Sequence, residues 1–364
     1  MAESSYIETG TKNTDTTKEL TDEEIEEIAL DLADAIAECD FQSVQLIMAA
    51  NREHIKPICS LLLPCDLSWG KDGEISVLHL AAMMNQLNFL NTIIHCGVPV
   101  DLPDSHGLTP LMYAVIKDTL NSARVLLDYN ADVNKQDYNG YSSFHHSVQL
   151  AHIKMTEMLL LYGATVNTVQ GEGWSPLMLA VRHRYERSDH IIIMKILFHQ
   201  GALLDIQEKQ QNYTALILAA QEGHLDIVKL LVRKGANVNL QTKSLHTALM
   251  LACWRGLKPI AEFLMARGAN VDMQDNGGMT ALMLALRDKH NDIANTLLQN
   301  RASVYIENKQ KKLARHYTKS KVMKQTLEQA ELDQARRVHV PASPCMGIPR
   351  RTPLAFRRLE FLAC

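Results

Sequence analysis

Seven cysteines and fifteen histidines are the side chains that could bind a metal ion or act in catalysis. Structural zinc requires close pairs of thiolate or imidazole ligands, but the sequence has no Cys-x-x-Cys pair and no His-Glu-x-x-His helix. His145 and His146 are adjacent on a short predicted helix and therefore point in different directions. The odd number of unpaired cysteines indicates a reduced, intracellular protein. We expect no metal site and no cofactor.

Signatures of catalysis are missing as well. The sequence contains no glycine-rich phosphate loop, no nucleophile elbow and no kinase motif. Paired carboxylates such as Glu23 and Glu24 fall in the first turn of a predicted helix, where negative charge interacts favourably with the helix dipole. The sequence therefore predicts a protein that is not an enzyme.

A repeat of 33 residues organises most of the chain. Six-residue segments that begin with Ser or Thr recur at spacings of 33, 33, 33, 39, 33 and 33 residues, starting at Ser76, Thr109, Ser142, Ser175, Thr214, Thr247 and Thr280. A second marker, as in the strings GATVN, GANVN and GANVD, follows most of these starts by 21 residues. A constant period in this range predicts a stacked array.

Each unit has the signals of a helical hairpin. The Ser or Thr at its start predicts an N-cap, and Pro110 and Pro176 suit the first helical position. In the clearest unit, Gly223 separates a short helix from a second helix, which Gly235 ends. One such pair cannot bury its apolar faces alone, so neighbouring units must stack. Near the N-terminus, Thr21 with Glu24 predicts a capping box.

The period, the T-P-L-x-x-A start and the G-A-x-V-N end resemble the ankyrin repeat family. The resemblance covers roughly residues 28 to 335 and implies an all-α solenoid of stacked helix-turn-helix units with β-type turn tips, capped at both ends. His79 occupies the usual histidine position of the family, where a structural role is expected. In other units this position holds Met112, Met178, Ile217, Met250 and Met283, which we interpret as core residues.

The predicted organisation has three parts. Residues 1–20 form a polar flexible N-terminus, residues 21–335 form the array, and residues 336–364 form a basic, Pro-containing flexible tail. The array begins with a degenerate repeat at about 28–73, whose irregular insertion contains Pro57, Pro64 and Trp69. Full repeats follow at about 74–107, 108–140, 141–173, 174–212, 213–245, 246–278 and 279–311, and a partial repeat at about 312–335 closes the array.

The resemblance implies that partners bind the concave side of the solenoid, formed by turn tips and first helices. Counting from each N-cap places aromatic and basic residues in the variable positions of that side, and Arg184 lies in an insertion around residues 182–195. The expected partner-binding residues are Tyr141, Trp174, Arg182, His183, Arg184, Tyr213, His246, Trp254, Arg255 and Arg287. An exposed aromatic row ringed by positive charge predicts a protein partner with apolar anchors and acidic residues. Alternatively, the rings only shield neighbouring turns.

Charge leaves two other functions open. Residues 1–40 carry 13 Asp/Glu against 2 Lys/Arg, whereas residues 309–364 carry 13 Lys/Arg against 4 Asp/Glu. The basic end could contact nucleic acid, but no recognition module accompanies it, so this function ranks below protein binding. A weak likeness of residues 349–362 to a suppressor-of-cytokine-signalling box raises a second alternative, a substrate-receptor subunit of a ubiquitin ligase.

The composition of the chain bears on membrane association and on localisation. The formal net charge is −4, and no run of about 18 apolar residues occurs, so the sequence predicts no membrane partner. We therefore expect a monomeric, cytoplasmic or nuclear adaptor or scaffold.

Overall fold

The computed structural model describes residues 20–38, 40–65, 73–182 and 189–338. Its first elements are α1 (Asp22–Ala37), α2 (Phe41–Ala50) and α3 (Ile55–Ser60), followed by the antiparallel strands β1 (Leu63–Cys65) and β2 (Gly73–Ile75). The capping box forms as predicted, because Thr21 Oγ1 accepts a hydrogen bond from the Glu24 amide at 3.2 Å and a Glu24 carboxylate oxygen accepts from the Thr21 amide at 2.9 Å.

The expectation of an irregular insertion before the first full repeat is wrong in part. Ile58 and Cys59 are fully buried on α3, which packs against α1 and α4. Strands β1 and β2 then form a short hairpin with Leu63 opposite Ile75. This apolar segment orders because it covers the first layer of the array, whose faces would otherwise contact water. The expected role of Trp69 falls outside the described residues.

The rest of the array alternates first and second helices. The first helices are α4 (Val77–Met83), α6 (Pro110–Ile116), α8 (Ser143–Gln149), α10 (Pro176–Arg182), α12 (Ala215–Glu222), α14 (Ala248–Trp254) and α16 (Ala281–Arg287). The second helices are α5 (Leu87–His95), α7 (Leu120–Asp128), α9 (Ile153–Leu161), α11 (Asp189–His199), α13 (Leu225–Arg233), α15 (Lys258–Ala266) and α17 (Asn291–Gln299). A 3₁₀ helix (Ala314–Tyr317) and α18 (Lys321–Val338) follow them.

The helices form two layers. Each first helix packs on its own second helix and on the first helices of the neighbouring units. Contacts within the layer of first helices are more extensive than those within the layer of second helices. The closer packing of one layer curves the array toward it, so the first helices line the concave side.

Hydroxyl side chains cap the first helices, as the sequence predicts. Thr214 and Thr247 accept hydrogen bonds from the amides of Ile217 and Met250, both at 3.2 Å. Pro110 and Pro176 each stand at the first residue of their helix, where no amide donor is needed.

Turn tips connect the units along the concave edge. Asp104, Asp137 and Asp275 stand five residues before the N-caps of their units, and each carboxylate accepts two backbone amide hydrogen bonds within its own tip at 2.7 to 2.9 Å. Adjacent tips are also joined directly, as where the Gly171 amide donates to the Asn139 carbonyl at 2.8 Å. These bonds make the tips a continuous ribbon, so side chains beside them are held at fixed positions.

Two buried histidines bridge consecutive units. In His79, Nδ1 accepts from the Ser76 amide at 3.2 Å and Nε2 lies 3.1 Å from the Leu108 carbonyl. His145 makes the same bonds with the Ser142 amide and the Thr168 carbonyl, at 3.1 Å and 2.9 Å. Burial lowers the pKa of each histidine to about 4. The structural role expected for His79 is therefore confirmed, and so is the core interpretation of the equivalent residues: Met112, Met178, Ile217, Met250 and Met283.

Candidate partner-binding surface

The concave side presents three columns of side chains. One column is the residue before each N-cap, and the other two are the residues seven and eight positions after it. We call these three columns the inner surface. Of the expected binding residues, Tyr141, Tyr213 and His246 are half-buried, whereas Arg182, Trp254, Arg255 and Arg287 are exposed. His183 and Arg184 lie outside the described residues.

Trp254 is the most exposed aromatic of the expected set. Its side chain is 45% exposed at the C-terminal end of α14. The His246 ring stacks on it with centroids 6.2 Å apart, and the Arg287 guanidinium carbon lies 5.7 Å from its ring centroid. Arg255 is the next residue along the chain, and its guanidinium donates to the Gln221 carbonyl. The structure thus brings His246, Trp254, Arg255 and Arg287 together, and we call these four residues the Trp254 cluster.

Neighbouring carboxylates orient two members of this cluster. His246 Nε2 lies 3.4 Å from Asp275 Oδ2, and Asp275 is itself fixed by the amides of its turn tip. Arg287 Nη2 contacts Asp288 Oδ2 at 2.9 Å. Because the ring of His246 and the guanidinium of Arg287 are both held, the Trp254 ring lies against neighbours of fixed position.

The expectation of a continuous exposed aromatic row is wrong at Trp174. Its side chain is only 9% exposed and belongs to the hydrophobic core. The Arg182 guanidinium lies 4.6 Å above the ring centroid, so the cation covers the aromatic face that a partner would contact. Trp174 therefore lies beneath the inner surface and packs against Arg182, which is exposed to solvent.

Tyr141 lies in a polar cluster of its own. Its ring stacks on His146 with centroids 5.4 Å apart, and His146 Nε2 lies 3.8 Å from Asp137 Oδ2. Burial tends to raise the pKa of Asp137, but the adjacent His146 side chain and the hydrogen bonds from the Tyr141 and Asn139 amides outweigh it and lower that pKa. Burial raises the pKa of the Tyr141 phenol. The contacts within this cluster hold the Tyr141 ring against His146, so the Tyr141 side chain is half-buried.

Tyr213 lies on the unit between these clusters. Burial, with the Glu208 and Glu222 carboxylates, raises the pKa of its phenol. The Glu208 carboxylate also accepts from the Tyr213 amide at 3.1 Å. Sequence reasoning missed the orienting groups Asp137, Asp275 and Glu208. A signal for the two aspartates was present, because Asp104 and Asp137 recur at the 33-residue period and Asp275 keeps the same distance from its cap.

The described residues include histidines, carboxylates, cysteines and helices whose arrangement bears on metal binding, nucleophilic attack and membrane insertion. Within residues 20–38, 40–65, 73–182 and 189–338, no group of three His, Cys, Asp or Glu side chains is placed to hold a metal ion. Burial raises the pKa of the Cys59 thiol to about 12 and that of Cys253 still further, so neither supplies a thiolate nucleophile at neutral pH. None of the described helices combines the length and the apolar character needed to cross a bilayer.

Solved structures have the same fold. The ankyrin repeat domain of Bcl-3, described as a unique member of the IκB protein family, is 26% identical with a TM-score of 0.54, and the alignment covers 60% of this chain and 97% of that domain. The human ASB11 ankyrin repeat domain is 24% identical with a TM-score of 0.51, and the alignment covers 61% and 98% of the two chains. The likeness to ASB11 concerns the fold alone.

Sequence comparisons name the family. An ankyrin repeat protein of Rickettsia bellii (strain RML369-C) is 34% identical over 65 residues, which are 18% of this chain and 19% of that relative. The family model for ankyrin repeats (three copies) matches residues 46–137, 144–242, 186–275 and 235–308. These matches cover most of the array and confirm the all-α solenoid expected from the repeat. The chain belongs to the ankyrin repeat family.

Proposed function

We propose that this chain is a non-catalytic adaptor or scaffold, cytoplasmic or nuclear, that binds a segment of another protein on its inner surface. Ankyrin repeat domains generally mediate protein–protein interaction. The observation that carries the proposal is the Trp254 cluster, where a half-exposed indole lies beside two arginines on a rigid concave face. Tryptophan and arginine are the residues most enriched among interface positions that dominate binding energy.

The charge of the cluster specifies the partner's chemistry. Arg255 and Arg287 are exposed beside Trp254, and the nearest fixed carboxylates, Asp275 and Asp288, already face His246 and Arg287. A partner that places an apolar side chain on the indole and a carboxylate near Arg255 matches this arrangement. We therefore favour an acidic segment with apolar anchors. The nucleic-acid and ubiquitin-ligase alternatives rank below it, because the sequence has no nucleic-acid recognition module and only a weak likeness to a suppressor-of-cytokine-signalling box.

Trp254 is expected to be the main anchor for a bound segment. Linear peptides selected from a random library against the full chain should be rich in Asp or Glu beside apolar residues. Trp254→Ala should weaken their binding about 30-fold, or about 2 kcal/mol, because the central aromatic anchor is lost. Isothermal titration calorimetry measures this change.

A matched control comes from the opposite layer. Leu161 is 86% exposed on the second helix α9, so Leu161→Ala removes an apolar side chain that is more exposed than Trp254 and lies away from the inner surface. Unchanged affinity in that variant supports the proposal. Peptides that bind Trp254→Ala as tightly as the unmodified chain, but lose affinity for Leu161→Ala, would contradict it.

A further inference from the structure

The two ends of the array carry opposite charge on folded, exposed surfaces. Residues 20–51 contain nine Asp or Glu and no Lys or Arg. Helix α1 carries most of these carboxylates and packs on α2, α3 and α4, so it forms the N-terminal layer. We call its exposed residues the acidic end: Asp22, Glu23, Glu26, Glu27, Asp31 and Asp34.

The C-terminal layer shows the reverse pattern. Residues 309–324 contain seven Lys or Arg and no Asp or Glu, and all seven side chains are exposed. Only two of the seven form ion pairs in the described ranges, Lys311 with Glu307 at 3.6 Å and Arg315 with Glu331 at 3.5 Å. We call the seven residues the basic end: Lys309, Lys311, Lys312, Arg315, Lys319, Lys321 and Lys324.

These ends cannot neutralise each other within one chain. The 3₁₀ helix beside the basic end packs on α16, and α18 packs on α17, whereas α1 contacts only the first elements of the array. Six full repeats and most of the seventh therefore lie between the two charges. We propose that the basic end binds the acidic end of a second copy, so that molecules associate head to tail.

Apolar side chains accompany the charges at both ends. Leu30 is 42% exposed on α1, and Val322 is 72% exposed in the first turn of α18. An apolar contact surrounded by charged pairs is the usual arrangement of a protein interface. The basic end also favours a carboxylate-rich helix over nucleic acid, since six of its seven cations are lysines. Tyr317, the one Phe, Tyr or Trp of residues 309–324, is half-buried.

The physics of exposed ion pairs sets the strength of this association. Exposed ion pairs are individually weak and are screened by salt, so the contact is weak and depends on ionic strength. The contact uses different surfaces on the two copies and therefore leaves a free end on each complex. The protein is monomeric at high salt and low protein concentration. Linear oligomers form as the salt concentration falls and the protein concentration rises.

Sedimentation velocity of the full chain tests this inference. The average mass should rise with protein concentration at about 20 mM salt and return to the monomer value at about 500 mM salt. Triple reversal of the basic end (Lys309→Glu, Lys312→Glu, Lys319→Glu) should abolish association, as should triple reversal of the acidic end (Glu23→Lys, Glu27→Lys, Asp34→Lys). A mixture of the two variants should associate again, because each then meets an opposite charge.

A control variant distinguishes an effect of charge at the two ends from an effect of the net charge of the protein. Lys154→Glu, Lys195→Glu and Lys289→Glu together change the net charge by the same amount as reversal of the basic end, at exposed positions between the ends. This variant should associate as the unmodified chain does, and circular dichroism establishes that every variant is folded. A chain that stays monomeric at low salt, or whose association survives reversal of either end, would overturn the proposal. Monomers that instead bind a generic RNA through the basic end would also overturn it.

Discussion

Lowering the pH from about 7 to about 5 is expected to reduce the free energy of unfolding by about 4 kcal/mol through two histidines. His79 and His145 are fully buried, with a pKa of about 4 in the folded chain against an ordinary value of 6.5. The unfolded chain therefore binds more protons between these values. The stability that the neutral rings provide is present above pH 6.5 and is lost as the pH falls toward 4.

Burial is the main reason why protonation of these rings is unfavourable, and the hydrogen bonds at Nδ1 act in the same direction. Nδ1 of each ring accepts a hydrogen bond from a backbone amide. A proton on Nδ1 would break this hydrogen bond and would place two donors against each other. Urea unfolding followed by circular dichroism at several pH values measures the loss.

The variant His79→Met with His145→Met provides the control. It places in both units the residue that four other units carry at this position, and it removes both titrating groups. The unfolding free energy of the variant should fall by much less than that of the unmodified chain between the same pH values. Equal pH dependence in both proteins would show that other groups are responsible.

Gly140→Ala should destabilise the array by about 3 kcal/mol. Gly140 has a φ of +81°, and a Cβ there would lie 2.5 Å from the Gly171 amide nitrogen. That amide donates to the Asn139 carbonyl, so the added methyl group would push apart two turn tips that the ribbon joins. The cost combines an unfavourable backbone conformation with the loss of contact between neighbouring units.

Gly163→Ala separates these two contributions. Its φ is +87°, but a Cβ there has no neighbour within 4 Å. This variant should lose only about 1 kcal/mol, the cost of the left-handed conformation. Chemical denaturation of both variants provides the comparison. Equal losses would mean that the close approach of the tips contributes nothing to stability.

The periodic parts of the fold could be predicted because each unit repeats its own local signals. The Ser or Thr caps, the Pro at the first helical position and the core methionines all follow from one register. The segment between α2 and Val77 could not be predicted in this way. It occurs once, and its α3 and β1–β2 hairpin depend on burial of Ile58 and Cys59 against the first layer. Its structure is decided by tertiary contacts that no period reveals.

The sequence predicts which residues lie on the inner surface but not how exposed each side chain is. Counting from the N-caps places Trp174 and Trp254 on the concave side, yet one ring is buried under Arg182 and the other is half-exposed. Whether an arginine covers a ring depends on side-chain direction, which the register of the repeat does not determine. The orientation of His246 by Asp275 has the same origin, because the two residues belong to different turn tips.

Photo-cross-linking from the inner surface tests the central claim most directly. Gln221 lies seven residues after its N-cap, in the column that also holds Trp254 one unit later. A benzophenone side chain at position 221 should become covalently attached to a selected acidic peptide, and the same group at position 161 on α9 should not. Attachment at position 161 with none at position 221 would contradict binding on the concave face.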